Sequence, residues 1–247
     1  DGVELEHAQS IAADHGLKGL VPFEGQPFLA YVLTALADAG YTDVCLVTRP
    51  EADPVREYFV RAPAKRLRIR FAFQAMPKGS ADAVAAAEEF TAGEPFAVIN
   101  SDNYYPADAL RALHGLSGSG LGGFRRAGLL KGNVDAERLA GYALIESDDD
   151  GVLTDIIEKP DDATLAAADA RALISMTCWR FSPQIFSAIG DTPPSARGEL
   201  ELPDAVRIAM KSEPFSVVPL DLPVLDLSRR EDIPAVGAFL SGCAVDL

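Results

Sequence analysis

"RIRFAFQAMPKGSADAVAAAEEFTAGEPFAVINSD", residues 68–102, is the stretch from which the fold class can be read. RIRFAF alternates polar and apolar residues, the mark of a half-buried strand. QAMPKG breaks the pattern with Pro77 and Gly79. SADAVAAAEEF is rich in good helix formers, with Asp82 in its first turn, where a carboxylate suits the helix dipole. PFAVIN is then a short apolar run of strand length. Strand, loop, helix and strand in this order form the unit of a largely parallel sheet with helices on both faces.

The same rhythm continues to either side. Upstream, GQPFLAYVLTALADAG (25–40) has Pro27 at a helix-starting position and Gly40 at a C-cap position, and Leu29, Val32, Leu33 and Leu36 make one apolar stripe. DVCLVT follows as a strand and ADPVREYFV as a helix. Downstream, GYALIES and GVLTDIIEKP are separated by DDDG, whose glycine suits a hairpin. DDATLAAADARA reads as a helix, LISMTCWRF as a strand leading into the helix SPQIFSAIG, and SARGELELPDAVRIAM as turn then helix. FSVVPLDLPVLDL supplies extended chain, and SRREDIPAVGAFL a helix with a capping box between Ser228 and Glu231. With no internal repeat, linker or low-complexity tract, one α/β domain over residues 1–247 is the economical expectation. Residues 1–17, DGVELEHAQSIAADHGL, are polar, weakly periodic and unlike an opening strand.

A chain of 247 residues with 48% hydrophobic and 24% charged residues can bury a sizeable core. Its formal charge of −15 disfavours a broad grip on nucleic acid or an anionic membrane surface. Cys45, Cys178 and Cys243 are odd in number and far apart, which fits reduced structural thiols better than a disulfide framework or a cysteine metal site. No window approaches 18 uninterrupted apolar residues, and the N-terminus lacks a basic segment with an apolar core. The expectation is a cytoplasmic protein without a membrane span.

In open sheets ligands bind beyond the carboxyl ends of the strands, so polar residues that follow strands carry the most weight. QAMPKGSADAV follows RIRFAF. Gln74 offers a donor and an acceptor suited to the edge of a heterocycle, Gly79 permits close backbone approach, and the N–H groups around Gly79, Ser80 and Ala81 suit an anion. Taken alone, the stretch reads first as an ordinary loop with Ser80 as N-cap and Asp82 favouring the helix dipole. INSDNYYP places Asp102 just past a buried strand, where a carboxylate is a natural ligand for Mg²⁺, although Ser, Asp, Asn and Pro also make turns. Glu158 and Lys159 end an apolar strand before Pro160. The lysine could neutralise a phosphate and the glutamate accept from hydroxyls, or the two could be a surface ion pair. Asp226, in PVLDLSRREDI, is either a second metal carboxylate or a loop acid.

Together and in this order these stretches resemble the sugar nucleotidyltransferases, the nucleoside-diphosphate-sugar pyrophosphorylases. The resemblance begins at LKGLVPFEGQPFLAYVL, runs through QAMPKGSADAV, INSDNYYP, GYALIE, IIEKP, RGELELPDAV and VLDLSRREDI, and covers residues 17 to about 240. It implies a Rossmann-like, GT-A-type mixed, mainly parallel sheet with helices on both faces. It implies that Lys18 contacts nucleotide or pyrophosphate oxygens, Gln74 and Gly79 the base, Asp102 and Asp226 the Mg²⁺, Lys159 the sugar phosphate, and Glu158, Gly141 and Glu199 the sugar. Trp179 stands where the family more often has a tyrosine near the sugar, and Asn103 and Tyr104 become candidates for the same pocket. The implied substrates are a nucleoside triphosphate and a sugar-1-phosphate, and homo-oligomers are common in the family.

Two departures stand out. The family's first strand and glycine-rich phosphate loop should precede Lys18, and residues 1–17 do not match them, so the expectation is that this segment lies before Asp1. VLDLS also replaces the family's more common Leu-Asp-Thr-Gly around Asp226. Two other functions remain open at this level. One is a GT-A glycosyltransferase, which SDN fits less well because it lacks the Asp-x-Asp metal pair. The other is a catalytically idle nucleotide- or sugar-sensing regulator.

Overall fold

The computed structural model describes residues 7–14, 17–51, 53–62, 64–161, 163–164 and 172–247. The helix expected over 161–172 lies almost wholly outside the described residues. Among them, α1 (His7–Asp14) precedes a 3-10 turn at Lys18–Leu20 and a small hairpin of β1 (Pro22–Phe23) and β2 (Gln26–Pro27). The next helix, α2 (Phe28–Asp38), begins after Pro27, whose extended ψ of 147° makes it the N-cap residue rather than the first helical one. Gly40, at φ +99°, closes the turn that follows the helix. Nine of its eleven residues are buried, far more than one stripe, because the helix is packed on all sides.

A parallel pair follows, β3 (Asp43–Thr48) with β4 (Arg68–Phe73), joined through α3 (Pro54–Arg61). The Asp53 carboxylate caps α3 by accepting from the N–H groups of Val55 and Arg56 at 2.9 and 3.2 Å. Next come α4 (Ser80–Ala85), α5 (Glu88–Thr91), β5 (Phe96–Ile99), β6 (Asn103–Tyr104), α6 (Ala107–His114), β7 (Gly120–Arg125) and α7 (Arg126–Leu129). The second half contributes β8 (Ala143–Ser147), β9 (Leu153–Ile157), β10 (Leu173–Phe181), α8 (Ile185–Gly190), α9 (Leu202–Ala209), β11 (Ser216–Leu220), β12 (Leu225–Asp226) and α10 (Ile233–Leu240).

The main sheet is mixed and organised around β10. That strand pairs antiparallel with β5, β7 and β8; β8 continues to β9, and β11 adds to β7 in parallel. Hydrophobic clusters occupy both faces. Ile174, Met176 and Cys178 of β10 join α2, α6 and α10 in one cluster, while Leu173, Trp179 and Phe181 join α4, α8 and α9 in the other. The share of antiparallel pairing is not visible in the sequence, since the direction in which two strands meet depends on the connection between them.

Two local features depart from simple periodicity. In β10 the register slips between Ser175 and Trp179, and Thr177 there has φ +55°, a left-handed conformation costing a β-branched residue about 1–2 kcal/mol. The buried Tyr105 hydroxyl donates to the Met176 carbonyl and holds this bulge. Strand β7, GLGGFR, carries no strand signature in the sequence because glycine is depleted in strands. It is glycine by packing: a Cβ on Gly120 would lie 2.3 Å from the Ser216 carbonyl oxygen of β11. The capping interaction before α10 also differs from expectation. Asp232, not Glu231, accepts the backbone N–H, that of Arg229, at 2.8 Å, and the Ser228 hydroxyl accepts from Arg138 instead.

Candidate active site

After β5 the chain makes a tight turn and enters β6, which pairs antiparallel with β12 so that Asn103 faces Asp226 and Tyr104 faces Leu225. The Leu227 N–H donates to the Asp102 carbonyl at 2.8 Å, extending the ladder by one step. Two acids 124 positions apart in sequence thus meet at this ladder, Asp102 in the turn just before β6 and Asp226 in β12. Lys18, in the 3-10 turn before β1, donates from Nζ to Asp102 Oδ2 at 3.0 Å. Both side chains of this pair remain partly open to solvent, at 41% and 30% exposure.

The surroundings of Asp226 are different. Its Oδ2 forms an ion pair with Arg138, 3.0 Å away, and accepts from the Tyr142 hydroxyl, while Oδ1 accepts from the Ser228 N–H at 2.7 Å. Asn133 bonds the Asp226 backbone in both directions, each at 2.8 Å. Arg138 Nη1 also meets Asp232 Oδ1 at 2.5 Å. The Arg138 guanidinium therefore sits between two buried carboxylates. Burial works against its charge, but Tyr142, Asp226 and Asp232 outweigh burial and raise its pKa. Burial, then the hydrogen bond to Asp226, pushes the Tyr142 phenol well above its ordinary value.

A metal ion can be weighed against these residues directly. Asp102 presents a hard oxygen ligand with an open side, which fits Mg²⁺ completed by phosphate oxygens and water. Asp226 does not fit as folded, because its carboxylate is 6% exposed as a residue and already bonded on both oxygens. As folded, Asp226, expected as a second metal ligand, is a buried ion-pair partner of Arg138 and an acceptor for the Tyr142 hydroxyl and the Ser228 N–H. Among the described residues no group of three or more His, Cys, Asp or Glu side chains is arranged to hold a metal ion.

The loop after β4 carries the next group of candidate residues. Phe73, Gln74, Met76, Lys78 and Asp82 line a shallow cavity of about 190 Å³. Gln74 Nε2 donates to Asp82 Oδ2 at 2.8 Å and to the Gly79 carbonyl at 3.2 Å. Gly79, at φ +116°, is required by the chain itself: a Cβ there would lie 2.4 Å from the carbonyl oxygen of Leu200. Leu200 donates its N–H to the Lys78 carbonyl at 2.6 Å, and its own carbonyl accepts from Ala81 at 2.9 Å. Ser80 is the first residue of α4 rather than its cap, and its hydroxyl accepts the Leu202 N–H at 2.9 Å, tying the starts of α4 and α9 together. Glu199, next to Leu200, is partly exposed on this stitched segment, with Arg197 3.6 Å away.

Arg207 anchors α9 to β9 through Asp155 at 3.1 Å and the Ile156 carbonyl. Beyond β9, Glu158 and Lys159 are exposed, and Lys159 has φ +46°, a strained conformation for a non-glycine residue. Glu158 reaches solvent at its rim, yet surrounding protein partly desolvates it. That burial raises its pKa, Arg207 opposes the shift, and Glu201 and Asp204 add to it. The register Leu144 opposite Ile157 puts Gly141 and Tyr142 at the same end of the β8–β9 hairpin as Glu158 and Lys159. This hairpin end links the Asp226 cluster, through Tyr142, with the segment that closes on Gln74. Gly141 is exposed, with open space where a side chain would stand.

Three expected pocket residues lie elsewhere. Trp179 is 2% exposed and stacks on Phe181 within the second cluster, so it is a core residue with no face for a substrate. Asn103 is buried, with its amide donating to the Leu225 carbonyl and accepting from Asn100, which makes it a latch between β6 and β12. Tyr104 packs towards Phe239 of α10. Arg138, Tyr142 and Asp82 are absent from the expected set. Their partners lie in other elements, or two turns away across a loop, so no local pattern marks them.

The family model described as Nucleotidyl transferase matches residues 14–219. Among similar curated proteins, a low-salt glycan biosynthesis nucleotidyltransferase of Haloferax volcanii is 30% identical over 193 residues, covering 78% of this chain and 51% of that protein. A glucose-1-phosphate thymidylyltransferase of Streptomyces griseus is 30% identical, covering 77% of this chain and 50% of that one. The chain spans about half the length of both relatives. A solved UDP-glucose pyrophosphorylase complexed with UDP-glucose superposes with a TM-score of 0.71 at 21% identity, covering 91% of this chain and 90% of that one, which establishes likeness of fold.

Proposed function

Because the chain belongs to the nucleotidyl transferase family, we propose that it joins a nucleoside triphosphate to a sugar-1-phosphate, giving a nucleoside-diphosphate sugar and pyrophosphate. The observation that carries this proposal is the Lys18–Asp102 pair, a cation and an open carboxylate 3.0 Å apart at the carboxyl end of β5. A phosphate oxygen of the sugar phosphate attacks the α-phosphorus, a new P–O bond forms, and the α–β bridging bond breaks to release pyrophosphate. Such transfer depends on in-line positioning and charge neutralisation more than on a covalent protein group.

Each residue then has a chemical task. Asp102 would hold Mg²⁺, which when bound supplies positive charge to the triphosphate. Lys18 brings a further positive charge to the same oxygens. Lys159, exposed at the hairpin end, attracts the sugar phosphate, and Glu158 accepts from sugar hydroxyls. Gly141 leaves room for the sugar, and Glu199 stands on the segment that closes on the Gln74 cavity, which receives the base. Gly79 and Ser80 shape that cavity by holding α4 against α9. No helix among the described residues is long and apolar enough to cross a membrane, and action in the cytoplasm is part of the same proposal.

The test is pyrophosphate release from the full-length protein with five nucleoside triphosphates against a panel of sugar-1-phosphates. Turnover with at least one pair, lost in Asp102→Asn without loss of fold, is the expected result. Near-normal turnover of Asp102→Asn would remove the assignment. Sugar transfer from a nucleotide sugar, without pyrophosphate release, would assign the site to a glycosyltransferase.

A further inference from the structure

Both edges of β10 lose their ladder at the same two residues. On one edge β7 pairs with residues 173–175 and again from Trp179, so the register skips Met176 and Thr177. On the other edge β8 pairs as far as Ser175, opposite Ala143, and β5 pairs from Cys178 onward, with Ile99 opposite Cys178. Continued two steps further, β8 would bring Tyr142 and Gly141, and β5 would bring Asn100 and Ser101, to the same places beside Met176 and Thr177. Two chains cannot share one edge. They part there, β5 into the turn that carries Asp102 and β8 towards Gly141 and Tyr142. Met176 is 2% exposed, and its carbonyl, outside the ladder, accepts from the Tyr105 hydroxyl at 2.5 Å. Burial raises the Tyr105 phenol well above its ordinary value, so it stays a donor. Beside it Thr177 holds φ +55°, a conformation that a β-branched residue keeps only where its surroundings impose it.

We infer that Tyr105 is a positioning residue for the transfer at Asp102: by holding the Met176 carbonyl it keeps Thr177 left-handed, and the bulge so fixed sets the fork from which the Asp102 turn departs. Tyr105 lies three residues beyond Asp102. The turn between them and β5 is closed by the Asn103 N–H on the Asn100 carbonyl at 3.4 Å and by Asn100 Nδ2 on Asn103 Oδ1 at 3.3 Å. One end of this segment is fastened to β10 by the pairing of Ile99 with Cys178, and the other by the Tyr105 hydroxyl. Without the hydroxyl a buried carbonyl loses its donor and the strain at Thr177 loses its restraint, so the bulge relaxes and the turn moves with it. In-line transfer tolerates little such movement, since a displacement of about 1 Å costs about a hundredfold in rate. Tyr105 acts through the turn and touches no substrate. The inference rests on the nucleotidyl transfer proposed above.

The experiment compares the full-length protein with Tyr105→Phe, Thr177→Gly and the double variant. It reads kcat and KM from pyrophosphate release, at a temperature where circular dichroism shows every variant folded. Tyr105→Phe keeps the ring and loses only the hydroxyl, and it is expected to lower kcat at least about tenfold with KM for both substrates within about threefold. Glycine takes φ +55° without strain, so Thr177→Gly is expected to keep kcat within about threefold, and the double variant to regain the rate that Tyr105→Phe loses, again within about threefold. An unchanged kcat in Tyr105→Phe makes Tyr105 a core hydrogen bond and no more, which overturns the inference while leaving the transferase standing. A lowered kcat in Thr177→Gly, or a double variant as slow as Tyr105→Phe, overturns it likewise. Should Tyr105→Phe fail to fold, the double variant decides: folded and near the wild-type rate it supports the inference, slow or unfolded it overturns it. A wild type that releases no pyrophosphate from any of the triphosphates with any sugar phosphate overturns the transferase reading and this inference with it.

Discussion

The Arg138 guanidinium lies 3.0 Å from Asp226 Oδ2, with both side chains more than nine-tenths buried. It also meets Asp232, so one buried cation is shared by two carboxylates. Removing one partner of such a cluster leaves charge uncompensated away from water, and the cost exceeds the net worth of the pair. Arg138→Met is expected to lower the unfolding free energy by about 3–5 kcal/mol. Adding Asp226→Asn and Asp232→Asn should recover most of that loss, and urea denaturation of the variants gives the comparison. Additive losses would show that the three residues act separately.

The same network predicts unequal roles for the two acids at the β6–β12 ladder. In a Mn²⁺ titration followed by electron paramagnetic resonance, with UTP present, Asp102→Asn should weaken metal binding by more than about tenfold, since an open carboxylate ligand is lost. Asp226→Asn should leave it within about threefold. Loss of Mn²⁺ binding in Asp226→Asn would mean that Arg138 and Tyr142 release Asp226 when metal arrives.

Glu158 carries a pH prediction. Burial raises its carboxyl above the ordinary range, so it takes up a proton sooner than a free glutamate as pH falls. If the charged form accepts from sugar hydroxyls, KM for the sugar phosphate rises on acidification, starting at a higher pH than an ordinary carboxylate would dictate. In Glu158→Gln the acid limb of the KM profile should flatten, and an unchanged limb would assign it to another group.

Cys178 is 1% exposed, and burial pushes its thiol up to about 12. In the unfolded chain the thiol ionises near about 8.5, so above that pH the unfolded state holds fewer protons than the native one. The contribution is complete below pH 8.5 or so and declines as pH rises towards 12. At pH 8 an aromatic disulfide reagent should leave Cys178 unmodified in the native protein and label it after unfolding in urea, as mass spectrometry of the digested protein would show. Rapid labelling in the native state would place the thiol outside the core.

Much of the fold is written locally. RIRFAF, SADAVAAAEEF and PFAVIN each carry their own period, and Asp53, Gly40 and the DDDG turn mark where elements start and stop, because propensity, capping and turn geometry act over a few residues. The positions of Lys18, Gln74, Asp102, Lys159 and Asp226 beyond or beside strands are legible for the same reason. What the chain could not reveal locally is which of these side chains remain free. Lys18 reaches Asp102 across 84 positions and Arg138 reaches Asp232 across 94. Only the packed sheet shows that Asp102 stays open while Asp226 is enclosed, that Trp179 and Asn103 belong to the interior, and that Gly79 answers to Leu200. The central place of β10 and the all but featureless β7 are likewise tertiary outcomes. A side chain's role at the site depends on the partners that burial brings to it, and those partners come from distant parts of the chain.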